Sequence, residues 1–357
     1  MIQDKVRVAV IGTGWWATAT HIPALITDSA VDLVALCDTD PLRVSAAAAA
    51  FGVTHTYDDP NALLVAEQPD AVVVATTHAT HFAVALACLK AGAHILIEKP
   101  MTLHASEARI LTEQAAAINR AIVMGYPWNY HAHARQLRER LASGSFGPIQ
   151  CVQSVFNSYN ADLIGGRDRS EHPGGYPVHG PGDVYSKKEH SGGGHGHLQM
   201  THAAGLLFYV TGLKPKRVQA RMANHDLPLD LVDIILVEFE GGALGTVSGT
   251  SNAFLSRSAL SLGCAQGGIE LDLFAGTAAL REGHGEQETL PPVLQPDLSL
   301  APVRNLIAIA CGTETSDNAA EVGWRAVELL EAAYRSAESD GRPVEIAELY
   351  PNPAKSL

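Results

Sequence analysis

Val8-Ala9-Val10-Ile11-Gly12-Thr13-Gly14-Trp15-Trp16-Ala17, with Cys37-Asp38 downstream, reads as the strand, tight turn and helix of a dinucleotide-binding unit. The four apolar residues form a buried strand that turns at once into a helix whose free amides face a pyrophosphate. Gly12 supplies the turn, Gly14 lets the backbone approach phosphate, and Ala17 takes the third, packing position. Glycine pairs occur in many turns, so context decides: this pair follows a strand and precedes a helix. Thr13, Trp15 and Trp16 share the turn and are expected to border the cofactor with the two glycines.

The apolar run 31–37 delivers Asp38 to the carboxyl end of a second strand. An acidic group there accepts hydrogen bonds from the adenosine ribose diol, which favours NAD. A 2′-phosphate would be repelled by Asp38 and by Asp40 close by, and Arg43 is the nearby cation that keeps NADP as the alternative.

A chain of 357 residues suits two domains. Its 46% apolar and 18% charged residues are those of a soluble globular protein. A net charge of -13 argues against a nucleic-acid partner. Five widely spaced cysteines with no CxxC pair suggest neither a disulfide frame nor a cysteine zinc site. The first strand begins within about five residues, leaving no room for a cleavable leader. No apolar run approaches the roughly 20 residues of a membrane span. A cytoplasmic address is the expectation.

Strand and helix patterns alternate through the first third: a helix at 41–51, a strand at 71–75, a helix at 82–91, then 95–97, 105–119 and 121–125. Such alternation implies a parallel sheet covered on both faces, hence a doubly wound Rossmann domain over residues 1–125. Residues 126–357 are expected to form an α+β domain with a large, mainly antiparallel sheet, giving an α/β protein overall. After a helix at 131–141 comes a glycine-, proline- and histidine-rich stretch at 165–196, a loop long enough to be functional. A helix at 198–210 follows, then strands at 217–222, 231–239, 243–248, 259–263 and 268–273, with Gly241-Gly242 as a hairpin turn, and a helix at 321–337. The strand 231–239 is apolar on both alternating faces except for Asp233 and Glu238. One face therefore packs on helices and the other meets a second subunit, so a homo-oligomer, dimer or tetramer, is expected.

Ile95-Leu96-Ile97-Glu98-Lys99-Pro100 places a lysine at the carboxyl end of a parallel strand, where ligands bind in open α/β sheets. A partly desolvated lysine beside a substrate hydroxyl can have its pKa lowered and take part in proton transfer. Pro100 fixes the following turn, with a cis bond as one way of doing so. Glu98 borders the same cofactor, and Thr76, Thr77, His78 and His81 follow the fourth strand along it; His81 reads as a helix-start residue rather than a catalyst. His21 reads as a polar residue beneath Pro23, with a nicotinamide-facing role as its alternative.

The opening fingerprint, His21-Ile22-Pro23-Ala24-Leu25, Glu98-Lys99-Pro100, Gly125-Tyr126, and Gly192-Gly193-Gly194 followed by His202 and Gly212 together resemble the glucose-fructose oxidoreductase, inositol dehydrogenase and MocA family over most of the chain. The resemblance implies an NAD-dependent oxidoreductase that passes a hydride between a ring hydroxyl carbon of a sugar, sugar derivative or inositol and nicotinamide. Lys99 matches the lysine that positions and deprotonates the reacting hydroxyl, and His202 matches the histidine on the substrate-side helix. The pattern departs in two places. Leu198 stands where many members have an aspartate, so either His202 works without that neighbour or His195, Gln199 or an acidic residue such as Asp183 takes its place. Pro127 and Asn129 stand where an asparagine and an arginine often follow the glycine-aromatic pair.

Positions 195, 199 and 202 share a helical face if the helix already includes 195, so His195, Gln199 and His202 are expected to line one pocket wall while His197 points away. Asn129, Asp183, Tyr126, Tyr159 and Tyr185 complete the candidate substrate contacts, the tyrosines because a ring and a hydroxyl suit a sugar. His190, His195, His197 and His202 lie within thirteen residues but do not converge on one face, and no cysteine is near, so no metal is expected. Two rivals share the fold. One is a glycoside hydrolase that oxidises a sugar transiently to permit elimination, with no net redox; the other is a cofactor-binding protein without catalysis.

Overall fold

The computed structural model describes residues 5–167, 176–316 and 320–350. β1 (Val6–Ile11) is buried almost throughout and leads through the glycine turn into a short π-helical turn and α1 (Ile22–Thr27). β2 (Val31–Cys37) follows, then α2 (Pro41–Phe51), β3 (Thr56–Tyr57) and α3 (Pro60–Glu67). The starts of α2 and α3 use the same local chemistry. Asp40 and Asp59 accept hydrogen bonds from the first free amides, and a proline occupies the first turn of each helix, where its missing N–H costs nothing. Gly52 then closes α2 in the left-handed conformation.

β4 (Ala71–Val74), α4 (His81–Lys90), β5 (His94–Ile97), α5 (Ala105–Ala117) and β6 (Ile122–Met124) complete a six-stranded parallel sheet of order β3-β2-β1-β4-β5-β6. All four residues of β4 are buried, as expected of a strand with helices on both faces. Strand order reverses between β1 and β4. The crevice at the carboxyl ends of these two strands is where an open α/β sheet binds ligands.

α6 (Ala132–Ala142) leads to β7 (Ile149–Tyr159), the short helices α7 (Ala161–Ile164) and α8 (Lys188–Ser191), a π-helical turn at Gly196–Met200 and α9 (Thr201–Thr211). Residues 168–175, within the glycine-rich stretch, lie outside the described residues. β8 (Pro215–Ala223), β9 (Val232–Phe239), β10 (Leu244–Thr250), β11 (Asn252–Cys264), β12 (Gly267–Asp272), β13 (Thr277–Glu282) and β14 (Glu288–Leu290) build a second sheet. Its order is β14-β13-β12-β11-β7-β10-β9-β8-β15, closed at one edge by β15 (Val344–Glu345). Every pairing is antiparallel except that of β7 with β10. Gly241 and Gly242 both take positive φ between β9 and β10, the hairpin expected there.

α10 (Ala301–Ala310) and α11 (Ala320–Glu338) come from the far end of the chain but serve different sheets. Val303 and Leu306 of α10 share a core with Val8, Val10 and Leu36 of the first sheet. α11 packs on β8, α5 and α9, so one apolar core runs from Ile97 and Met124 through Leu207 and Leu329 to Val218 and Ile235. On the other face of the second sheet Ile234, Leu236 and Leu244 stay about half exposed. No helix among the described residues is long and apolar enough to cross a membrane.

Candidate active site

A cavity of about 600 Å³ opens at the carboxyl ends of β1, β2, β4 and β5 and is closed on its far side by β7, α9 and residues 176–185. Gly12 sits at its floor with φ +94, packed so tightly on the Ala75–Thr76 backbone that a Cβ would collide. A Cβ on Gly14 would meet nothing within 4 Å. The two glycines are therefore glycine for different reasons: Gly12 for the fold, and Gly14 for the space above it.

Asp38 borders this space from the end of β2. Its Oδ2 accepts hydrogen bonds from the Thr13 amide (2.8 Å) and hydroxyl (3.0 Å), and its Oδ1 accepts the Asp40 amide at 3.0 Å. Thr13 thus stands behind Asp38 and orients it rather than lining the cavity. Arg43 approaches Asp38 at 4.0 Å and Asp40 at 3.9 Å, held between two carboxylates. A free cleft above Gly14 and a fixed carboxylate beyond it fit the pyrophosphate and ribose diol of NAD.

Further along the wall, Glu98 accepts hydrogen bonds from Trp16 Nε1 at 2.9 Å and from the Lys99 amide at 3.2 Å, and pairs with His21 Nε2 at 2.8 Å. Burial alone would raise the Glu98 carboxyl; the hydrogen bond and charge of His21, with Lys99, hold it below the usual range. A charged Glu98 is thus held by three donors, and His21 has a partner the sequence did not reveal. His81 heads α4, its Nδ1 bonded to the Pro100 carbonyl (2.7 Å) and its Nε2 to that of Thr76 (3.2 Å). His78 reaches across to the Ser191 carbonyl at 2.9 Å, tying the first sheet to the glycine-rich turn. Trp15, Thr76 and Thr77 also line the cavity.

Lys99 follows β5, and its bond to Pro100 is cis. Its ammonium donates to the Leu198 carbonyl at 2.9 Å, and burial pulls its pKa below the ordinary lysine value against the opposing charge of Glu98. His202 faces the same space from the first turn of α9, its ring stacked on Phe156 at 5.6 Å and edge-on to Tyr126 at 6.1 Å. Burial, then the Lys99 charge, depresses the His202 pKa well below its ordinary value, so the imidazole is neutral near pH 7. Gln199 lines the wall between these groups, and Tyr185 lines it nearby, its hydroxyl accepting from Trp15 Nε1 at 3.3 Å.

The structure moves five expected substrate contacts away from this wall. His195 is wholly buried behind it, Nδ1 paired with Ser251 Oγ at 2.7 Å and its ring against Gly249. The face shared by 195, 199 and 202 presumed a uniform α-helix. The helix does include 195, but it continues as a π-turn whose extra residue changes the phase. Tyr126 lies one layer back, its hydroxyl on Thr201 Oγ1 at 2.8 Å. Asn129 is buried in the turn Pro127–Tyr130. Tyr159 projects to the surface against Phe254, and Asp183 is exposed and paired with Lys187 at 2.7 Å. Of the three candidates for the missing aspartate, only Gln199 reaches the wall. The Leu198 side chain joins Leu163, Ile164, Leu229 and Leu231 in a small apolar cluster, and its carbonyl meets Lys99 instead. Trp128, Phe156, Asn160, Leu163, Tyr176 and His179 line the cavity without having been singled out from sequence. Among the described residues, no group of three or more His, Cys, Asp or Glu side chains is arranged to hold a metal.

Residues 6–126 match the model of the GFO/IDH/MocA oxidoreductase family, NAD-binding Rossmann fold, and residues 134–270 match that family's C-terminal domain. The chain belongs to the GFO/IDH/MocA family. Among curated members, it is 32% identical over 149 residues to D-glucoside 3-dehydrogenase of Escherichia coli K12, covering 42% of each chain. It is 35% identical over 159 residues to inositol 2-dehydrogenase 1 of Saccharopolyspora erythraea, covering 44% of this chain and 47% of that one. The chain thus spans about half the length of the curated relatives it matches. The fold is shared with a crystallised inositol dehydrogenase homolog from Azotobacter vinelandii complexed with NAD+, at a TM-score of 0.78 and 22% identity, covering 96% of this chain and 98% of that one. The GFO/IDH/MocA assignment accounts for both sheets and for the dinucleotide cleft between Gly14 and Asp38.

Proposed function

We propose that this chain is an NAD-dependent dehydrogenase that oxidises a ring CH–OH of a sugar, sugar derivative or inositol to a ketone, or runs the reverse, with Lys99 and His202 handling the proton. The observation that carries this reading is the meeting of Lys99, Gln199 and His202 on one wall of the cavity that Gly14 and Asp38 also border. The names of the curated relatives, a glucoside 3-dehydrogenase and an inositol 2-dehydrogenase, support a secondary ring hydroxyl as the reacting group.

NAD+ supplies the acceptor for the hydride. The chain's own task is the proton. A lysine whose pKa is lowered by burial can, in its amine form, take the hydroxyl proton and return it in the reverse direction. Neutral His202, its ring orientation fixed by Phe156 and Tyr126, can donate to or accept from the same hydroxyl. Gln199 offers an amide to a neighbouring hydroxyl, while Trp128, Phe156 and Leu163 supply apolar surface for a ring face and exclude water. Asp38 favours NAD over NADP. The half-exposed Ile234, Leu236 and Leu244 support a homo-oligomer assembled on the outer face of the second sheet.

The test is incubation with NAD and a panel of free sugars, glycosides and inositols, followed by nicotinamide absorbance and product analysis. Lasting reduced nicotinamide together with a ketone product is expected. Glycoside cleavage without it would instead establish the hydrolase, and NAD binding with no conversion would establish a non-catalytic protein.

A further inference from the structure

Behind the cavity wall lies a polar cluster of Asp230, Asp233, His197 and Tyr334 that does not line the cavity. Gly192-Gly193-Gly194-His195-Gly196 winds around it. A Cβ at Gly193 or Gly196 would run into the Tyr334 hydroxyl, and one at Gly194 into the Asp230 backbone carbonyl. The glycines are therefore there for close approach, and what approaches is Asp230 with Tyr334.

Asp230, two residues before β9, receives three successive amides of this turn. Its Oδ1 accepts the Gly194 amide and its Oδ2 the Gly196 amide, both at 2.8 Å, while its own carbonyl accepts the His195 amide at 2.8 Å. The Tyr334 hydroxyl lies 3.0 and 3.1 Å from its two carboxylate oxygens, and the His197 ring stacks on Tyr334 at 4.5 Å. Asp233 packs behind, wholly buried, and neither of its oxygens receives a hydrogen bond. Burial and then the Asp230 charge push the Asp233 carboxyl well above its usual range. An aspartate that takes three successive amides, those of Gly194 and Gly196 on its carboxylate and that of His195 on its carbonyl, fixes where the helix begins. The next residues are Leu198, whose amide bonds to the Gly194 carbonyl and whose own carbonyl meets Lys99, then Gln199 and His202.

We infer that Asp230 is a positioning residue of the active site: its carboxylate sets the turn from which the Leu198 carbonyl, Gln199 and His202 reach the cavity and Lys99. The inference rests on the catalytic reading of Lys99 and His202 given above.

Asp230→Asn tests it in the full-length protein, with methyl β-D-glucopyranoside and myo-inositol as substrate probes and NADH fluorescence for cofactor binding. Asparagine has one acceptor oxygen where two amides need one each. Turnover should fall at least 30-fold, NADH affinity should stay within threefold, and amides 194–202 should exchange with deuterium at least tenfold faster. The exchange readout needs no substrate. Asp233→Asn should keep turnover within threefold, because the turn amides bond to Asp230 and none to Asp233. Tyr334→Phe keeps the stack on His197 and removes one donor; should Asp230→Asn fail to fold, this variant carries the test, with a threefold or larger loss of turnover at unchanged NADH affinity. Wild-type turnover and exchange in Asp230→Asn or Tyr334→Phe would overturn the inference, as would an equal loss of NADH binding, which marks general damage. Lys99→Ala separates the two readings. If it turns over normally the catalytic reading fails; if it is inactive while Asp230→Asn is normal, only the positioning role fails.

Discussion

The Lys99 ammonium is bonded at 2.9 Å not to an acidic side chain but to the backbone carbonyl of Leu198. A neutral dipole orients the lysine without adding a negative charge that would raise its pKa, so burial decides the direction of its shift. The aspartate missing at this position thus changes the electrostatics of the wall more than its layout.

Replacing Lys99 with methionine should reduce kcat/KM by roughly 10²- to 10⁴-fold, the usual range for a lost general acid or base. NADH affinity, measured by fluorescence titration, should change less than about threefold, because Gly14 and Asp38 lie elsewhere on the cavity wall. In the oxidation direction the amine form is required. Wild-type kcat/KM should therefore rise with pH through a value below that of an ordinary lysine, and the limb should vanish in Lys99→Met.

The two glycines of the turn should separate folding from cofactor binding. Gly12→Ala places a Cβ against the Ala75 backbone at φ +94, and a loss of at least about 2 kcal/mol in unfolding free energy is expected from overpacking and strain together. Gly14→Ala meets nothing within 4 Å, so its unfolding midpoint should match wild type. NAD affinity should nevertheless fall by tenfold or more, because the methyl group takes space left for phosphate. Equal NAD affinity in Gly14→Ala and wild type would place the pyrophosphate elsewhere.

Asp38 should control cofactor choice. Asp38→Ser removes the charge that opposes a 2′-phosphate and releases Arg43 from one of its two carboxylates. KM for NAD should rise about tenfold while KM for NADP falls, narrowing the preference by two orders of magnitude or more. Steady-state kinetics with both nucleotides would show it.

Most of the first sheet was legible from its local patterns. Apolar runs such as Ala71–Val74 have one reading when turn residues and helices flank them, and Asp40-Pro41 and Gly52 mark the ends of α2. β7, at the centre of the second sheet, was not legible, because Ser154 faces inward between Val152 and Phe156 and breaks the apolar alternation. α10 went unseen too, although Pro302 in its first turn, Val303, Leu306 and Ile307 at helical spacing and Gly312 past its end were local signals for it. At the site, the cofactor turn, Asp38, Lys99 and His202 were readable because strand ends and motif spacing fix them. The layer behind was not. His195 and Asp230 acquire their places from a π-turn and from strands distant in sequence, where uniform helical geometry misleads.

The buried histidines should make the fold acid-sensitive. Burial lowers His195 and His197 to about 4, and lowers His78 and His202 as well, each against an unfolded value near 6.5. Between about pH 4 and 6.5 the unfolded chain binds the protons these rings refuse in the folded state. Their contribution is therefore fully present above pH 6.5 and lost as pH falls, at up to about 1.4 kcal/mol per pH unit for each ring. Asp233 works in the opposite sense, since its raised folded value favours the native state at low pH, and offsets part of the loss. Urea unfolding at intervals from pH 7.5 to 4.5 should show a steep fall in stability. His197→Phe, which keeps a flat ring against Tyr334, should lessen the slope by about one proton, whereas a slope identical to wild type would mean that His197 is protonated in the native protein at these pH values.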